Sequence, residues 1–141
     1  MKNCLLLIAA ALISASNVVL ASDGGIYLGP DPLAPGWERI DPAKWSPNKA
    51  ATAAELVGAM LSGPLEALDG GPDVKVHVWR SEETFRAAVK ATNLPDDSIR
   101  AEETVIAIKE GDGGWYVTEV WQRWICNHGD NAGKWTNKLC P

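Results

Sequence analysis

The clearest pattern along the chain is the alternation from Val74 to Trp79. Val74, Val76 and Val78 fall on one side and Lys75, His77 and Trp79 on the other, the two-residue period of a strand with one apolar face. Upstream the period lengthens. Leu56, Val57, Met60 and Leu61 recur at helical spacing. Thr52-Ala53-Ala54-Glu55 precedes them in the form of a capping box, where the Thr hydroxyl and the Glu carboxylate each accept a backbone N–H of the first turn. Gly63-Pro64 ends or kinks this helix, and Pro64 is suited to open a short further turn through Leu68. Asp69-Gly70-Gly71-Pro72 is a clear break.

After the strand, Ser81 reads as an N-cap with Glu82 and Glu83 at the positive end of a second helix. Phe85, Ala88, Val89 and Thr92 form its stripe, and Asn93-Leu94-Pro95-Asp96-Asp97 stops it. Thr104 to Lys109 is a β-rich run, followed by the turn signal Glu110-Gly111-Asp112-Gly113-Gly114. Val117, Val120, Trp121, Trp124 and Ile125 also fit a helical stripe. Their β-branched and aromatic composition, with the turn just upstream, favours a strand bulged near Trp121 to Trp124. The predicted fold class is α+β: one small domain with about two helices packed on a three-stranded, at least partly antiparallel sheet. A Pro/Gly-rich arm precedes it and a disulfide-closed loop ends it.

Residues 1–21 read as a cleaved signal peptide. Lys2 is the lone charge, Cys4 to Ile13 is apolar, and Val19 and Ala21 occupy the small-residue positions of a cleavage site that leaves Ser22 first. Ser14, Ser16 and Asn17 break the run, which falls short of the roughly 20 apolar residues a membrane span needs. The predicted location is therefore exported, periplasmic or secreted, with no membrane span after cleavage. Residues 22–49 form the arm, punctuated by Trp37, Ile40 and Trp45, which are expected to pin it to the domain over 50–141.

Export changes what the composition means. The full chain has 141 residues and a net charge of −5, which argues against a nucleic-acid partner. Loss of residues 1–21 removes one basic side chain and one of the three cysteines, leaving Cys126 and Cys140. An even pair in an oxidising compartment is most simply a disulfide, and closing a loop of this length is worth about 3 kcal/mol in the chain-entropy model. Cys126, His128, Asp130 and Cys140 as a metal set would need all four to converge without the paired spacing of structural zinc sites. No metal or cofactor is implied.

Candidate chemistry is sparse. There is no Gly-x-Ser-x-Gly elbow, no His-Glu-x-x-His and no phosphate loop. Glu102, Glu103, Glu110, Asp112, Glu119 and Asp130 supply carboxylates, but a glycosidase needs two facing each other across a cleft. No catalytic residue is assigned. Tryptophan stands out, at seven against one phenylalanine. In a strand, Trp121 and Trp124 point to opposite faces, which leaves one of them for the surface. The candidate binding residues are Trp121, Arg123, Trp124, His128, Asp130 and Trp135, because Trp and Arg dominate interface hot spots and a stapled loop loses little entropy on binding. These readings predict a non-catalytic protein that binds a protein partner in the cell envelope or outside it, of inhibitor or immunity type. Glycan or peptidoglycan binding through exposed indoles, and a small envelope hydrolase, are the alternatives.

Overall fold

The computed structural model of the chain describes residues 29–65, 71–81 and 83–141. The expected signal segment, Cys4 and the expected turn through Leu68 lie outside the described residues. Seven strands form one antiparallel sheet: β1 (Glu38–Ile40), β2 (Lys49–Ala50), β3 (Asp73–Ser81), β4 (Thr84–Thr92), β5 (Ile99–Gly111), β6 (Gly114–Cys126) and β7 (Trp135–Thr136). The order is β1-β6-β5-β4-β3, and β2 and β7 also pair with β6. Among the described residues one helix, α1 (Ala53–Leu65), lies against the sheet, and a 3-10 turn spans Pro42–Lys44.

The expectation of two helices on three strands is therefore corrected. The segment read as a second helix is strand β4, paired on both sides, with β3 from Asp73↔Thr92 to Ser81↔Thr84 and with β5 from Thr92↔Ala101 to Phe85↔Ile108. Its interior is buried on both faces, so Ala87, Ala88 and Val89 are apolar in succession and the two-residue period vanishes. Alanine also favours helices intrinsically, but here its small size lets layers on both sides approach the sheet. Ser81 is no helix cap: its carbonyl accepts from the Thr84 hydroxyl at 2.9 Å where the β3–β4 hairpin closes.

Other local signals hold. Glu55 N–H donates to the Thr52 hydroxyl at 3.2 Å, while the Glu55 carboxylate accepts from the N–H groups of Ala51 and Thr52 at 3.0 and 3.3 Å. The helix runs past Gly63-Pro64 to Leu65. Leu56 and Met60 bury their side chains against Ala87, Val89, Ile106, Ile108, Val117 and Val120, with Ile40 and Trp45 of the arm at the margin. Gly111↔Gly114 closes the β5–β6 hairpin. Gly114, at φ 130°, is required there, since a Cβ would sit 2.4 Å from the Ala50 carbonyl oxygen and prevent β2 from pairing.

The bulge is not at Trp121 to Trp124 but at Thr118. Ala107 pairs with Glu119 and Ile108 with Val117, leaving Thr118 as the extra residue, and its hydroxyl donates to the Ala107 carbonyl at 3.2 Å. That extra residue resets the alternation, so Val117 and Val120, three apart, both face α1. The helical stripe in the sequence is a strand with one inserted residue. A second irregularity falls at Arg100, between Ile99↔Cys126 and Ala101↔Ile125.

Cys126 and Cys140 are disulfide-bonded, with their Cα atoms 5.3 Å apart. Among the described residues no group of three or more His, Cys, Asp or Glu side chains is placed to hold a metal ion. No described helix is long and apolar enough to cross a membrane.

Candidate functional site

The face of the sheet opposite α1 reads as a grid. Cross-strand register places Trp79, Arg86, Ala107 and Glu119 in one row, His77, Ala88, Val105 and Trp121 in the next, and Lys75, Lys90, Glu103 and Arg123 in a third. Ala88 and Ala107 make a shallow floor in which Trp37 packs with Val105 and Trp121, flanked by Ala34 and Trp79. The arm therefore crosses the middle of this face. Gly29, at φ 70°, lies so close to Trp79 that a Cβ would meet its ring at 2.4 Å.

Three of the six predicted site residues come together here, though as packed groups. Trp121 is only 7% exposed. The Arg123 guanidinium carbon lies 4.2 Å from the ring centroid of Trp37 and 4.6 Å from that of Trp135. Its Nε and a terminal nitrogen donate to one Glu103 oxygen at 2.8 and 2.5 Å. The cation is thus stacked on two indoles and charge-paired at its edge. Lys90 stands 5.2 Å from the Trp135 centroid and Arg86 5.6 Å from that of Trp121. None of the seven tryptophans falls among the exposed residues.

The other three are elsewhere. Trp124 points to the α1 side of β6, in register with Glu102 and Thr136, and its indole N–H donates to the Lys138 carbonyl at 2.5 Å. His128 and Asp130 are exposed on the disulfide-closed loop. These three are joined by a residue the sequence did not single out. Leu139 is 90% exposed and lies between two shallow open cavities. One, of about 280 Å³, is lined by Asp96, Asp97, Ser98, Ile99, Trp124 and Cys140. The other, of about 320 Å³, has Cys126, His128, Gly129, Asp130, Asn131 and Pro141. A leucine in a polar C-terminal run carries no periodic signal, which is why it was missed.

The carboxylates are dispersed, and several have structural tasks. Glu103 is held by Arg123 and Glu119 by Arg39 at 3.3 Å. Asp96 accepts from the N–H groups of Ser98 and Ile99, both at 2.7 Å. Burial on the α1 side raises the Glu102 carboxyl above its ordinary range, and the nearby Asp96 charge adds to this.

Comparison with protein-family models, with curated proteins and with solved structures finds no match to this chain.

Proposed function

We propose that this chain is an exported, non-catalytic binding protein whose partner is another protein, docked at the disulfide-held corner. The observation that carries this reading is Leu139: an apolar side chain 90% exposed, one residue before a disulfide-bonded cysteine, and the residue shared by two cavities, one walled by Trp124 and the other by His128 and Asp130. A projecting apolar group on a stapled loop buries area on binding with little ordering cost. Flanking polar groups form the rim that such interfaces use. The cavities are open and shallow, a relief suited to a partner's surface more than to an enclosed small molecule. Export is supported by the disulfide, which persists in oxidising compartments. The glycan reading asks for open indole faces, and the rings of Trp37 and Trp135 are already stacked by Arg123.

The test is affinity capture from the exported fraction, identification of the captured protein, and reconstitution with that protein purified. Leu139→Asp is expected to weaken the reconstituted complex by about tenfold or more. Leu33→Asp, at the other widely exposed leucine, should leave it unchanged. Absence of a reconstituting partner, or equal effects of the two substitutions, overturns the reading.

A further inference from the structure

The charge on the sheet face opposite α1 is unbalanced in a way the composition hides. Among the described strand residues three carboxylates belong to this face, and each has a partner: Glu103 has Arg123, Glu119 has Arg39, and Asp73 has the Asn93 amide at 2.8 Å. Lys75, Arg86 and Lys90 remain. Among the described residues no carboxylate lies within ion-pair distance of any of the three. Lys75 and Lys90 are directly opposite in the β3–β4 register, which puts like charges about 5 Å apart at Cβ and costs stability. Arg86, two pleats along β4 from Lys90, has a buried Nε with no hydrogen-bond acceptor. A chain with five more acidic than basic side chains thus keeps three cations outside any ion pair on this face, against one carboxylate there, Asp73, that no cation neutralises.

We propose that Lys75 and Lys90 form the docking strip for an acidic segment of the partner protein. This rests on the protein-binding reading above and names the partner's chemistry. The strip reaches the loop that carries the proposed corner, because Lys90 stands over Trp135, inside the loop that the Cys126–Cys140 bond closes. Orientation follows from the surrounding charges. Asp96, Asp97 and Asp130 line the corner cavities and repel an acidic segment there, so it lies inward along β3 and β4, where the lysines neutralise it. Repulsion on one side and attraction on the other fix a single direction. The opposed lysines lose their mutual penalty when the anionic segment enters.

The probe is a fluorescently labelled oligo-glutamate peptide, titrated into the oxidised full chain at about 50 mM salt, where screening is modest. The expected result is saturable binding weakened about tenfold or more by Lys75→Glu/Lys90→Glu. Lys44→Glu/Lys134→Glu, with the same change in net charge, should weaken it by less than about threefold. Lys75→Gln/Lys90→Gln gives the same direction of change without new repulsion, should the reversal disturb folding. Equal weakening by the control pair overturns the strip in favour of general attraction. Absence of peptide binding overturns it outright. Inorganic phosphate competing as well as the peptide replaces it with a small-anion site. A captured partner that binds Lys75→Glu/Lys90→Glu as tightly as the parent removes this inference and leaves the protein-binding reading standing. Peptide binding with the predicted residue dependence but no capturable partner removes the protein-binding reading and the partner from this inference, leaving only an acidic-peptide site at Lys75 and Lys90.

Discussion

Glu103 and Arg123 face each other across β5 and β6, and one carboxylate oxygen accepts both guanidinium contacts, at 2.8 and 2.5 Å, while the cation lies 4.2 and 4.6 Å from the ring centroids of Trp37 and Trp135. Glu103 is 7% exposed. The pair is therefore the electrostatic centre of the packed face, and it ties β5 and β6 to the arm and to the disulfide loop.

Removing only the cation leaves a carboxylate in an apolar setting. Arg123→Ala is expected to cost about 3 kcal/mol, and Arg123→Leu with Glu103→Leu less than that, since no buried charge then remains unpaired. Urea unfolding midpoints of the two variants and the parent give the comparison. A double variant as damaged as Arg123→Ala would mean that indole stacking outweighs the charge pairing.

Glu102 supplies a pH dependence whose sign is fixed. Its folded carboxyl titrates above the ordinary value of 4.5 because burial, and then Asp96, disfavour the charged form. The folded state thus holds its proton to higher pH than the unfolded chain does. Stability from this group falls as pH rises from the ordinary carboxylate range through the folded value, and stays lowered above it. Glu102→Gln should raise the urea midpoint at pH 7 and lose that advantage well below pH 4.5, where both states of the parent are protonated. An advantage independent of pH would point to packing instead of charge.

The Cys126–Cys140 bond restricts the unfolded chain, and Cys126→Ser/Cys140→Ser is expected to cost about 3 kcal/mol. Calorimetry of this variant beside the oxidised parent measures the loss. Mass spectrometry after alkylation reports whether the chain holds the bond: two free thiols would remove the staple from the account.

Much of the local structure was legible because its signals are short-ranged. The Thr52/Glu55 cap, the alternation of β3, the turn at Gly111 to Gly114 and the cysteine pairing each need only neighbouring residues or a compartment. The β4 strand was not legible, since layers on both faces erase its period and its alanines mimic a helix. That error also hid the strip, because Lys90 could be set beside Lys75 only with Thr84–Thr92 recognised as a strand. The Thr118 insertion likewise made β6 ambiguous. Trp37 was legible as an anchor, but its place on Arg123 was not, since arm, strand and loop meet only in three dimensions.

The outer flank of β6 is occupied in sections: β7 at Trp124 and Ile125, β1 from Val120 to Gln122, and β2 at Trp115 and Tyr116. An uninterrupted thirteen-residue edge would offer a template for pairing with another chain. Here an intruding strand must first evict a short resident, and the residents are tethered differently. β1 and β2 belong to the arm, whereas β7 lies in the disulfide loop. Reduction of the bond therefore loosens one guard and leaves two, so protection against edge-to-edge self-association survives partial failure of the fold.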